Sequence, residues 1–112
     1  MRIFLFQDRF AELVRTGQKL QTIRKKALCK PGDRLSLRRW TGQPYRSKQE
    51  ILREAVCTRV EECRIYDDGP DTSTETGEML ARADGFDTLA DMKDWFLKMH
   101  GLPFVGEKIV WV

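Results

Sequence analysis

Histidine occurs once in these 112 residues and cysteine three times, and no two cysteines form a C-x-x-C pair. That scarcity removes the recurrent zinc spacings, so no metal and no cofactor is expected. A glycine-rich phosphate loop and a G-x-S-x-G nucleophile elbow are also missing; "KPGD" (Lys30–Asp33) is turn chemistry alone. No apolar run is long enough to cross a bilayer, and there is no internal repeat or low-complexity tract. The opening "MRIFLFQDRF" turns polar after a very short apolar run, which reads as a strand and not as a signal peptide. A cytoplasmic protein is therefore expected, with Cys29, Cys57 and Cys63 as reduced thiols. Lys26 and Lys30 flank Cys29 and are expected to lower its pKa, although no base stands near it. Cys57 and Cys63 read as packing residues on a strand.

What is present fits one globular domain spanning residues 1–112, with 41% hydrophobic and 33% charged residues. The net charge of +3 hides an asymmetry. Residues 1–65 hold 16 of the 20 Lys and Arg against 7 acids, whereas residues 66–112 hold 4 bases and 10 acids. Between Arg15 and Lys48 there are eleven bases and one acid, Asp33. Such a run is either a solvated face or a surface that attracts phosphate.

The hydrophobic pattern predicts the order β-α-β-β-β-α-β. "RIFLF" (Arg2–Phe6) is a short buried strand. Asp8 is positioned to cap a helix with Phe10, Leu13 and Val14 on one face, and Gly17 ends it. Leu35 and Leu37 alternate with polar residues in Arg34–Trp40, and Val56, Thr58 and Val60 share a face of a strand over Glu54–Asp67, bulged near Glu61–Glu62. The acidic Asp67–Glu78 segment reads as a mobile loop or a surface for a protein partner. Thr88 and Asp91 make a capping pair for a helix carrying Leu89, Met92, Phe96 and Met99, which Gly101 ends; His100 suits that C-terminus. "KIVWV" (Lys108–Val112) is the last strand. The result is an α+β domain in which short strands curl into a small, partly open barrel with two main helices. Leu35, Leu37, Val56, Phe86, Phe96 and Ile109 should share its core.

The segment "RTGQKLQTIRKK" (Arg15–Lys26) is where chemistry is concentrated. On a strand from Gln21, Thr22 and Arg24 point the same way, and Lys19 can lean over that face from the preceding turn. Either this is a solvated edge guarded by lysines, or it is one wall of a site. Trp95 and Trp111 lie in apolar segments and read as core. Trp40 differs, because it sits between Arg38-Arg39 and a loop with Tyr45, Arg46 and Lys48. An aromatic ring among cations is what base stacking needs, and packing at a barrel end is the alternative. Lys26, Arg39 and Trp40 join Arg24 as expected ligand contacts.

"GQKLQTIRKK", "KPGDRLSLRRW", "DGFDTLADMKDWFLKMHG" and "GEKIVWV", in this order over nearly the whole chain, resemble the ASCH (activating-signal-cointegrator homology) domain, a relative of the PUA RNA-binding barrel. The matching positions are Gly17, Lys19, Thr22 and Arg24, then Gly32 and Asp33, then Asp84, Gly85 and Phe86; Leu20 stands where the family pattern has threonine. The resemblance implies a PUA-like small barrel, monomeric, with a cleft lined by Lys19, Thr22, Arg24 and Asp84 that takes RNA or a modified nucleoside. It also implies a second possibility, a metal-independent amidohydrolase of N4-acetylcytidine-type nucleosides, with Thr22 as nucleophile, Lys19 as base and Asp84 in the place of the family's longer glutamate. Another family member is a ribonuclease on single-stranded RNA. The chemistry is coherent, since a lysine whose pKa is lowered by burial and by Arg24 can take the threonine proton. The structural alternative is that Asp84 and Arg24 form a salt bridge alone.

Overall fold

A computed structural model of the chain describes residues 1–71 and 76–112. The first strand, β1 (Arg2–Leu5), leads into helix α1 (Asp8–Thr16). Gln7 occupies the N-cap without a side-chain capping bond, so Asp8 is the first helical residue, not the cap; its carboxylate favours the positive end of the helix. Gly17 takes φ 83° and stops the helix, as a residue without Cβ can. Then come β2 (Gln21–Arg24), β3 (Arg34–Trp40), β4 (Gln49–Tyr66) and the two-residue β5 (Gly69–Pro70). Helices α2 (Gly77–Ala83) and α3 (Leu89–Met99) precede β6 (Phe104–Trp111).

Six strands form one mixed sheet in the order β1-β3-β4-β6-β2, with β5 paired to β4. The β1–β3 pair is parallel and the others are antiparallel. β4 is the spine: its first half pairs with β3 and its second half with β6. Register shifts at Leu37/Arg38 and at Cys57/Arg59 fall along it, and such bulges bend a strand and increase its twist. The expected bulge at Glu61–Glu62 lies instead at the second of these points. The sheet is not closed into a barrel, because β1 and β2 end the strand order without pairing to each other. Two side chains cross between these end strands and their flanking segments: Arg2 Nε donates to Ala27 O at 3.1 Å and Arg24 NH2 donates to Leu5 O at 2.9 Å.

The buried apolar side chains form one cluster, with Phe4, Val14, Leu37, Ile65, Met92, Phe96, Ile109 and Trp111 at its centre. Leu35, Leu37, Phe86, Phe96 and Ile109 are in it as expected, but Val56 is 43% exposed. On β4 the inward residues are Leu52, Ala55, Cys57, Cys63 and Ile65, so the face marked by Val56, Thr58 and Val60 points out or lies at the margin. Small buried cysteines carry the core there, where β-branched residues gave the stronger sequence signal. A third helix, α2, follows the acidic segment, with Thr76 capping it by accepting from Met79 N. Of the expected Asp67–Glu78 loop, residues 72–75 lie outside the described residues and the rest includes β5 and the start of α2. Among the described residues no helix is long and apolar enough to cross a membrane.

Candidate functional site

β2 is at the end of the sheet, yet Gln21, Thr22 and Ile23 are all buried. The strand is therefore not a solvated edge. Its partner β6 holds it by backbone pairing from Gln21↔Val110 to Arg24↔Glu107. Lys25 and Lys26, just beyond, are exposed.

Lys19 is placed by the end of α1: its N–H donates to Leu13 O at 2.9 Å, which closes the helix and turns the side chain under the sheet. The ammonium is 2% exposed and donates to the Asp84 carbonyl, with Asp84 Oδ1 3.2 Å away. It also lies over the Phe10 ring, 4.9 Å from the centroid, a favourable contact for a cation. Asp84 ends α2 and is 4% exposed. The next residue, Gly85, has φ 97°, and a Cβ there would lie 3.0 Å from Phe10 Cδ1 and 3.3 Å from Lys19 Cδ. Glycine is required on both counts, and it lets the α2 end settle onto the lysine.

Thr22 and Arg24 share a face of β2. Arg24 Nε donates to Thr22 Oγ1 at 3.0 Å, and its guanidinium lies 5.1 Å and 5.0 Å from the Phe4 and Phe6 ring centroids. Lys19, Thr22, Arg24 and Asp84 all line one cavity of about 250 Å³. Its other wall is aromatic, with Phe6, Phe10, Trp95 and His100. Trp95 Nε1 donates to Gln7 Oε1 at 3.2 Å, which fixes the indole at the rim. Trp95 is thus half-buried and part of the cleft, not a plain core residue like Trp111. His100 ends α3 as expected and also faces the cleft. Sequence reasoning missed Gln7, Phe6 and Phe10 as lining residues; their apolar pattern and helix-start position carry no signal of a cavity.

Burial dominates the electrostatics. It lowers the pKa of Lys19 and raises that of Asp84, while the attraction between them opposes both shifts. Burial also pushes Arg24 down to about 10, against the pull of Asp84. His100 is lowered by burial, then by the charges of Lys25 and Arg24. Asp84 Oδ1 pairs with the ammonium at 3.2 Å, and the buried Gln21 amide beside it, like the ammonium, favours the charged carboxylate.

The ammonium bonds to Asp84 and the Thr22 hydroxyl to Arg24; no hydrogen bond joins Lys19 to Thr22. The alternative, an Asp84–Arg24 salt bridge, does not form, since Asp84 pairs with Lys19. Lys26 and Arg39 do not line the cavity. Arg39 is held by Asp8 at 3.3 Å and Glu50 at 3.2 Å. Trp40 lies beside a neighbouring cleft and contacts Tyr45, ring centroids 5.1 Å apart. Cys29 departs from expectation: its pKa is raised to about 11, by burial first and then by the adjacent Cys57, and the flanking lysines do not reverse this. Comparison of the chain with protein-family models, with curated proteins and with solved structures found no match.

Proposed function

We propose that the cleft takes a single unstacked nucleobase, either in a free modified nucleoside or in a nucleotide of RNA, and that the chain is an ASCH-type, PUA-like domain. The observation that carries this reading is the buried Asp84 carboxylate, set beside the Lys19 and Arg24 cations under an aromatic wall. A cytosine-type edge offers an exocyclic amine to the carboxylate and a carbonyl to the cations, and its π-face suits the aromatic side. A cavity of about 250 Å³ is near the small end for ligand sites, which suits one base better than a larger cofactor. The order of elements and the positions of Gly17, Lys19, Thr22, Arg24, Asp84 and Gly85 support the ASCH kinship, with the sheet left open in this chain.

Calorimetric titration of the wild-type protein with cytidine, N4-acetylcytidine and uridine tests the reading. The cytosine-type nucleosides should bind, and uridine, which offers a carbonyl where cytosine offers an amine, should be weaker by ~1–3 kcal/mol, the cost of a mispaired buried group. No saturable binding of any of the three would overturn it.

A second reading, hydrolysis of an N4-acylated cytidine, is favoured by one observation: a lysine pushed toward neutrality shares the cavity with a buried threonine hydroxyl. Thr22 Oγ1 would attack the acyl carbonyl while Lys19 takes its proton. Collapse of the adduct would expel the cytosine amine with a proton from Lys19 or Asp84, and water would then release the acyl group from Thr22. This requires substrate to draw Lys19 from Asp84 toward Thr22, a tightening that unliganded sites commonly lack. Purified protein should then release cytidine from N4-acetylcytidine without added metal. Lys19→Ala should lower turnover by ~10²-fold or more and Thr22→Val should abolish it; no product from the wild type would end this reading and leave base binding intact.

A further inference from the structure

The cavity around Lys19 has a neighbour. A second cleft of about 370 Å³ is lined by Trp40, Asp8, Gly42 and Pro44, and it shares Leu5, Phe6 and Gln7 with the first. The shared segment is thus a ridge with a pocket on each side. Its position follows from the parallel β1–β3 register, in which Leu5 pairs with Arg38 and Phe6 N donates to Arg38 O at 2.9 Å. Two residues on from Arg38, Trp40 therefore lies alongside the end of the ridge.

The loop after Trp40 is held shut. Thr41 N and Oγ1 both donate to Lys48 O at 2.9 Å, and Gly42 N donates to Ser47 Oγ at 3.0 Å. Within it Tyr45 adopts φ 63°, uncommon for a non-glycine residue, and its ring leans against Trp40 at an interplanar angle of 49°, with the residue 88% exposed. The two rings together present an exposed aromatic surface. From Thr41 to Lys48 the loop carries Arg46 and Lys48 and no acid, and neither cation makes an ion pair among the described residues. The one carboxylate at this cleft, Asp8, is neutralised by Arg39 at 3.3 Å. On the ridge itself Gln7 accepts from Trp95 through Oε1, which leaves its NH₂ group able to donate to a ligand.

We infer that the Trp40–Tyr45 surface is a second base subsite, and that the ligand is a two-nucleotide step of single-stranded RNA straddling the Leu5–Gln7 ridge. One base enters the Lys19 cavity, the adjacent base stacks on the Trp40–Tyr45 pair, and Gln7, Arg46 and Lys48 face the sugar–phosphate chain. The inference rests on the base-binding reading of the first cavity and extends it from a nucleoside to a strand. Stacking is tolerant of sequence, so the second subsite selects for an unpaired neighbour and not for a particular base.

The test compares cytidine with the dinucleoside monophosphate cytidylyl-3′,5′-cytidine by equilibrium titration of the wild-type protein. The dinucleotide should bind at least ~10-fold more tightly, the scale of one base–aromatic stack. Trp40→Ala should remove that gain and leave cytidine affinity within ~2-fold, and Trp40→Phe should keep most of it. Tyr45→Ala, at an exposed position where folding is not at risk, should remove part. The ribose form should bind at least as tightly as its deoxy counterpart; a gain confined to the deoxy form would overturn the assignment to RNA. Cytidine binding with no gain for the dinucleotide, or a gain that survives Trp40→Ala, would overturn the second subsite while the first stands. Failure of both ligands to bind would remove the two readings together.

Discussion

Lys19 and Asp84 are the residues on which the site depends, and their burial gives them a measurable signature. Removing one member of a buried pair leaves the other uncompensated, typically at a cost of ~3–5 kcal/mol. In Asp84→Asn the carboxylate that raises the Lys19 pKa is gone, so burial lowers that pKa further. A base whose folded-state pKa lies below the unfolded value of 10.5 contributes stability above that value and loses it as pH falls through the folded pKa. The deficit of Asp84→Asn relative to wild type should therefore shrink as pH rises from 7 toward 10.5, read as converging urea midpoints. A deficit constant over that range would mean that the lysine is not the uncompensated charge.

The elements that hold the site are β2, β6 and the ends of α1 and α2, and their closest approach is at Gly106. A Cβ there would collide with the Arg24 carbonyl oxygen and lie 2.7 Å from the Phe104 ring. Gly106→Ala should push β2 away from β6, lowering stability by ~1–3 kcal/mol and weakening base binding through displaced Thr22 and Arg24. Unchanged stability and affinity, measured by denaturation and titration, would show that β2 can shift without cost. The outline of these elements was legible in the sequence, since α1, α3 and their glycine stops follow from local periodicity and caps. Long-range consequences were not. The inward face of β4 includes an alanine and two cysteines beside Leu52 and Ile65, α2 hides behind an acidic stretch, and strand order decides whether a sheet closes. The site was half legible for the same reason. Lys19, Thr22, Arg24 and Asp84 do meet, whereas Arg39 is absorbed by Asp8 and Glu50, contacts that only the folded chain creates.

At the scale of the whole molecule the basic first half is not a uniform cationic face. Arg15 is bonded to Glu12 and Glu50, and Arg39 to Asp8 and Glu50, so a network of carboxylates neutralises part of it. The buried Lys19–Asp84 pair lies apart from that network, in a cavity with an aromatic rim. A third opening, bounded by Met1, Arg34, Glu54, Val56 and Val112, lies among other elements and has no buried charge. The three tryptophans report on this layout, because Trp95 is at the rim, Trp40 is beyond the ridge and Trp111 is wholly buried. The most direct measurement of the central claim is a ¹H–¹⁵N correlation spectrum of the protein titrated with cytidine. Saturable shifts at the Trp95 indole N–H, whose bond to Gln7 closes the rim, and at the Thr22 and Arg24 amides, with Trp111 unmoved, are the predicted result. Shifts confined to the Met1–Val112 opening, or none at saturating ligand, would contradict it.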